Sequence, residues 1–327
     1  MDSKMQECAI VGAGQIGSRH LQALSRLKSP LRICVVDPSP QALQRSRLQF
    51  EEFQGKSDTH QVSFETSAEN LPPKLDLAII ATVASHRLSA MDALFKRSAL
   101  KYLILEKFLF QSTDDYHKAD SLLAQTSTQT WVNCPRRLWS FYQRLRERLT
   151  GSKVHYHVTG SQWGLGCNAI HFIDHLAFLT GDNHYSILDA SLEVDPSPKR
   201  QGTIEFTGSL LGKLEQGSTF EITSLAKPGH PIEVSILADE VEFHINETKG
   251  TGWSRDLAPT LERVDLDFKI PYVSETGAIA CQDILSHGNC DLTTYEDSVA
   301  LHTPLLQTFL KYYQTQIDET ATACPIT

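Results

Sequence analysis

Long apolar runs, basic clusters and paired cysteines are all scarce in this chain of 327 residues. No stretch approaches the roughly 20 apolar residues that cross a bilayer, so no membrane-spanning helix is expected. Lysine and arginine never group beyond pairs such as Arg136-Arg137 and Lys199-Arg200, and the net charge is −9. Nucleic-acid phosphates and anionic membrane surfaces would repel that charge, which leaves small molecules as the expected partners. The opening MDSKMQE is polar and runs straight into an apolar strand, so no secretory signal is expected. Seven cysteines are scattered without a C-x-x-C pair. This argues against a disulfide framework or zinc ribbon and suits a reducing cytoplasm. A G-x-S-x-G elbow is missing, and Ser18-Arg19 stand where a phosphate-loop lysine would follow the first glycines.

What is present has the balance of an ordinary globular protein, with 41% hydrophobic and 21% charged residues. The length exceeds one compact core and predicts two domains, over 1–133 and 134–327. In the first, strand-like runs at Ala9–Val11, Leu31–Val36, Leu75–Ala81, Tyr102–Leu105 and Thr130–Asn133 alternate with helical spacing. The helical stretches are Ile16–Leu27, Gln41–Phe53, Ser85–Lys96 and Asp114–Gln125. LAIIA and YLILE are almost wholly apolar, as strands covered on both faces are, and the alternation predicts a doubly wound parallel sheet.

After Pro135 the pattern changes. Helices are expected over Trp139–Leu149 and Asn168–Leu179, with a strand at Lys153–Thr159 between them. From Ser186 to Asn246, GTIEFTG, STFEITSLA, PIEVSILA and DEVEFHIN alternate apolar and polar positions between turns such as VDPSP and KPGHP. That period predicts an antiparallel sheet with one buried and one free face, and the free face suggests a homo-oligomer, dimer or tetramer. Lys249–Ile270 lacks a period and is expected as a long loop, before a last helix from Glu296 to Gln316. The expected fold class is therefore α/β, a parallel sheet domain followed by an α+β domain with a mostly antiparallel open sheet.

The decisive motif is CAIVGAGQIGSRHL, in which Gly12, Gly14 and Gly17 form G-x-G-x-x-G between a strand and a helix. In such a turn the first glycine permits the bend and the second lets backbone approach a pyrophosphate. The third lets helix and strand touch, while the amides at Gln15 and Ile16 face the phosphate charge. An acid about 20 residues later should hold the ribose hydroxyls. Asp37 closes RICVVD at that distance, and Pro38, Ser39 and Pro40 follow it without an arginine. A carboxylate there repels a 2′-phosphate, so NAD is expected over NADP.

At these residues the chain resembles the Gfo/Idh/MocA family, the relatives of glucose–fructose oxidoreductase and inositol dehydrogenase. GAGQIGSRHL resembles the family's glycine loop, which often continues into a pair like Arg19-His20. ATVASHR, with Ala81, Thr82 and His86, resembles the segment after the fourth strand that lies along the cofactor. LEKFLF resembles the E-K-P motif and gives Glu106 and Lys107, with Phe108 in place of proline. GLGCNAIHFIDHLAFLTG resembles the D-x-G-x-H-x-x-D segment of the second domain, although Cys167 stands four before His171 where aspartate is usual. The stretch VNCPRRLW also departs from the family pattern. The resemblance implies a Rossmann domain, a second domain whose open sheet supports oligomers, and NAD(P)-linked oxidation or reduction of a sugar or cyclitol hydroxyl.

Proton transfer in such a reaction needs a group whose pKa lies near the working pH. The resemblance assigns Lys107, at the carboxyl edge of the sheet, to orienting the reacting hydroxyl and relaying its proton. His171 is the acid/base candidate; Asn168, His171 and His175 share one face of a helix, and Asp174 could orient the imidazole. Arg136 and Arg137 could bind a carboxylate or phosphate with paired hydrogen bonds, which would favour an acidic or nucleotide-linked sugar. Trp163 could stack on a sugar ring, as could Trp139. No metal is expected: His171 and His175 have metal-site spacing, but Phe172 excludes the usual glutamate. Two other functions remain open. One is a non-catalytic NAD-binding sensor or partner protein, and the other a redox-neutral elimination or hydrolysis with tightly bound NAD.

Overall fold

The computed structural model describes residues 5–53, 55–195, 202–257 and 262–327. The turn expected at VDPSP lies partly, and the Lys199-Arg200 pair wholly, outside the described residues. The chain opens with β1 (Gln6–Val11), α1 (Gln15–Ser25), β2 (Leu31–Val36), α2 (Pro40–Glu51) and β3 (Gln61–Glu65). It continues with β4 (Lys74–Ile80), α3 (Ala84–Arg97), β5 (Ala99–Leu105), α4 (Thr113–Leu123) and β6 (Gln129–Val132). Next come α5 (Ser140–Leu149), β7 (His155–Ser161), α6 (Leu165–Thr180), β8 (Tyr185–Val194) and β9 (Phe206–Leu214). Then follow β10 (Thr219–Leu225), β11 (Glu233–Leu237), β12 (Val241–Asn246), β13 (Thr251–Asp256) and β14 (Arg263–Asp267). The chain closes with α7 (Val273–His287), β15 (Thr293–Thr294) and α8 (Tyr295–Gln316).

Two compact units result, one of residues 1–138 with 271–295 and one of 139–270 with 296–327. The first is therefore discontinuous, unlike a simple break after residue 133. The reason is physical. Helix α7 packs on α1 so closely that a Cβ on Gly277 would stand 2.9 Å from the Ala23 Cβ. Strand β15 then adds to β6 through Thr293 and Thr294.

The first unit holds a sheet in the order β15-β6-β5-β4-β1-β2-β3. All its pairings are parallel except that of β15. From β1 the chain moves outward to β2 and β3, then returns to place β4 on β1's other side, so the order reverses between β1 and β4. Such a reversal opens a crevice at the carboxyl ends of the strands, where ligands of doubly wound sheets bind. The strands read as apolar runs because helices cover both faces: Cys8, Ala9 and Ile10 of β1 and Leu77 to Ile80 of β4 are fully enclosed. Each Leu or Ile side chain among them contributes about 1.5–3 kcal/mol when buried. Local signals agree, since Ser39 and Ser112 accept hydrogen bonds from the first-turn amides of α2 and α4.

The second unit holds a sheet in the order β14-β13-β12-β11-β7-β10-β9-β8. Every pairing is antiparallel except β7 with β10. Tyr156, Val158, Phe220, Ile222, Val234 and Ile236 point into its core. The alternate positions His155, His157, Glu221 and Leu237 are exposed on the other face, which is the period read in the sequence. Two expectations need correction. Lys249–Ile270 is not one loop but carries β13 and β14; in β14 Val264 and Leu266 alternate with charged residues, but every position is partly or fully exposed. Helix α7 was not anticipated, because Gly277 interrupts its pattern.

Among the described residues no helix is long and apolar enough to cross a membrane.

Candidate functional site

The glycine turn sits between β1 and α1 at the carboxyl edge of the first sheet. Gly12 has φ of 103°, and a Cβ there would come within 3.0 Å of the Ala81 and Thr82 backbone. A Cβ on Gly17 would stand 1.8 Å from the Gly12 carbonyl oxygen, so only glycine allows α1 to start where it does. Gly14 is the N-cap of α1 and has no side-chain cap. Nothing lies within 4 Å of where its Cβ would be, and Gly14 and Gln15 are exposed. The turn thus presents uncapped helix amides beside open space, a cradle that fits a pyrophosphate.

Asp37 follows β2 beside this turn. Its Oδ2 accepts from the Ala13 amide at 2.7 Å and its Oδ1 from the Ser39 amide at 2.8 Å. Two backbone donors therefore fix the carboxylate, and each oxygen keeps a lone pair for further donors. On the far side of the reversal, the Ala81 amide donates to the Val11 carbonyl at 2.8 Å, tying the turn after β4 to β1. Ala81 and Thr82 are partly exposed in that turn, and His86 is exposed on the first turn of α3.

Glu106 and Lys107 leave β5 at the same edge. Glu106 is 7% exposed, and its Oε1 is 2.7 Å from His20 Nε2 and accepts from Asn133 Nδ2 at 2.6 Å. Burial alone would raise the Glu106 carboxyl. Hydrogen bonding and charge from His20, the Asn133 amide and the charge of Lys107 outweigh that and hold it below the usual carboxylate range. Glu106, expected on the cofactor, thus engages the protein interior through Oε1. Lys107 is half-buried and joins Phe108 through a cis peptide. Arg136 and Arg137 lie partly exposed in a short turn of 3₁₀ helix, Pro135–Leu138.

In the second unit, α6 begins after Gly164, whose φ is 84°. Its first amides are occupied: Glu205 Oε1 accepts from Gly166 and, at 3.3 Å, from Cys167. The Cys167 thiol turns to the Gly164 carbonyl at 3.7 Å, and Asn168 Nδ2 donates to Trp163 O at 2.5 Å. Trp163 is 7% exposed; its indole donates to Thr223 O at 3.1 Å and meets Phe172 edge-on. Most of α6 is buried, including Asp174 and His175. His175 faces the core, with Nδ1 2.8 Å from the Tyr156 hydroxyl and its ring 3.9 Å from that of Tyr142. The polar edge of α6 therefore reduces to Cys167, Asn168 and His171, each half-buried.

The first unit brings the glycine turn, Asp37, Ala81, Thr82, Glu106 and Lys107 to one sheet edge. In the second, Asn168 and His171 share one helix edge. Sequence reading missed Asn133 and Arg87 as partners of these residues, and it noted His20 only as part of a motif. The HL pair that begins ten residues after Ile10 was the available signal for His20, since it falls on the face of α1 turned to the sheet. Among the described residues no group of three or more His, Cys, Asp or Glu side chains could hold a metal ion.

A doubly wound domain with this turn and acid defines a dinucleotide-binding protein class. Residues 6–134 match the model of an oxidoreductase family with NAD-binding Rossmann fold, GFO_IDH_MocA. No curated protein sequence matches the chain. Among solved structures, UDP-N-acetylglucosamine 3-dehydrogenase from Acidithiobacillus ferrooxidans aligns with TM-score 0.70 and 11% identity, covering 93% of this chain and 97% of that one. An Agrobacterium radiobacter oxidoreductase in complex with NAD+, L-tartaric acid and magnesium aligns with TM-score 0.70 and 15% identity, over 92% and 94%. A super-repressor mutant of Gal80p from Saccharomyces cerevisiae aligns with TM-score 0.72 and 14% identity, over 95% and 96%. At these identities the likeness is one of fold, and it extends over both units.

Proposed function

We propose that this protein is an NAD-dependent oxidoreductase that moves a hydride between nicotinamide and a hydroxyl-bearing carbon of a sugar, cyclitol or sugar derivative. The observation that carries the reading is one sheet edge bearing a phosphate cradle and a fixed acid on one side of the strand reversal and Lys107 on the other. Gly12, Gly14 and Gly17 with the amides of Gln15 and Ile16 hold the pyrophosphate, and Asp37 takes the ribose hydroxyls. That carboxylate is the reason to choose NAD over NADP. When bound, the nicotinamide supplies hydride acceptance or donation.

Lys107 orients the substrate hydroxyl and relays its proton. His171 serves as the acid/base, since an imidazole changes charge near neutral pH. Arg136 or Arg137 receives a carboxylate or phosphate on the substrate, which makes acidic and nucleotide-linked sugars the first to test. The alignment with a UDP-N-acetylglucosamine dehydrogenase points the same way.

The test is a screen of NAD reduction against sugar acids, cyclitols and nucleotide sugars, followed by Lys107→Ala. Turnover should fall by about 10²–10⁴-fold, the usual worth of a positioned proton-transfer group, with NAD affinity almost unchanged. Full activity in that variant would remove Lys107 from the site. A non-catalytic NAD-binding partner protein is the second reading, favoured by Cys167 standing where the resemblance expects aspartate. NAD binding with no turnover across the screen would select it. Bound NAD that survives purification, with no net NADH during turnover, would select a redox-neutral reaction instead.

A further inference from the structure

Arg87, on the first turns of α3, is among the largest fully enclosed side chains, with 1% of its surface exposed. One guanidinium nitrogen donates to the Phe108 carbonyl and, at 2.8 Å, to the Leu109 carbonyl. The second terminal nitrogen donates to the Thr82 carbonyl. These acceptors belong to two different turns, the one after β4 and the one after β5, and Phe108 directly follows Lys107. A guanidinium stays charged in any protein environment. Burying it costs several kcal/mol unless strong acceptors surround it. An apolar side chain could fill the same space at less cost, so the retained charge needs a further reason.

The sheet supplies one. The glycine turn and Asp37 lie at the ends of β1 and β2, so an adenosine half bound there sends the rest of a dinucleotide across the reversal toward β4 and β5. Resting on the NAD-binding reading above, we propose that Arg87 is the positioning residue of the nicotinamide half. Its planar fork locks the Thr82 turn and the Lys107 turn to each other, so that coenzyme and lysine keep a fixed relation. Lysine has the charge without the fork and cannot span both turns.

The experiment compares Arg87→Lys and Arg87→Ala with the wild-type protein. Calorimetry with ADP-ribose reports the adenosine half, and the fluorescence of bound NADH reports the nicotinamide half. Both variants should bind ADP-ribose within about twofold of wild type, while NADH binds about tenfold more weakly, as loss of one charge-assisted hydrogen bond gives. Guanidinium at low millimolar concentration should restore NADH binding to Arg87→Ala and leave Arg87→Lys unchanged. Unaltered NADH binding in both variants would overturn the proposal. Equal loss of both ligands would also overturn it, by reducing Arg87 to a support for the fold. If the wild-type protein takes neither ligand, the NAD-binding reading falls first and this inference with it.

Discussion

Glu106 carries a charge inside the protein, and His20 and Asn133 keep it there. Its carboxyl is held below the usual range in the folded state, so it adds stability that is fully present above the unfolded value, about 4.3. That contribution fades as pH falls through the lower folded value. Glu106→Gln should therefore cost about 3 kcal/mol at pH 7, typical for a buried pair that loses one partner. The gap to wild type should narrow below about pH 4. Melting curves across this range check it; a gap constant down to pH 3 would mean that charge at Glu106 contributes nothing. In the sequence Glu106 stood out only by resemblance, as a cofactor contact. The partners that hold it lie 86 and 27 residues away, and no local pattern encodes such distances.

At the scale of elements, legibility followed burial. Strands buried on both faces, such as β4, and strands with one wet face, such as β10 and β12, announced themselves by period. In β14 Val264 and Leu266 alternate with charged residues but no buried face sets the strand apart, and α7 carries Gly277, which a contact with α1 requires. In the second sheet, the free face carries Leu211 at 43% and Leu237 at 42% exposure, flanking His155, His157 and Glu221. Apolar residues set among polar ones on an open sheet face suit a contact with a second copy of the chain, as expected for a homo-oligomer. Light scattering should then give a dimer or tetramer, and Leu211→Glu with Leu237→Glu should give monomers. A wild-type protein that is monomeric at all concentrations would dismiss this surface as an interface.

For the whole molecule, the chain builds two sheets, each with its own core, and returns to the first unit after residue 270. The net charge of −9 and the scarcity of basic clusters agree with a small-molecule role. The turn-and-acid motif was fully legible in sequence because all its parts lie within one β-α-β unit, from Cys8 to Asp37. The half-buried edge of α6 was not, since burial of His175 depends on Tyr156 and Tyr142 from other elements. The central claim is that this motif holds a nicotinamide dinucleotide. Calorimetric titration with NAD+ and NADP+ tests it most directly. The account predicts one NAD+ per chain, weaker binding of NADP+, and a preference that collapses in Asp37→Ser. No heat with either coenzyme would contradict it.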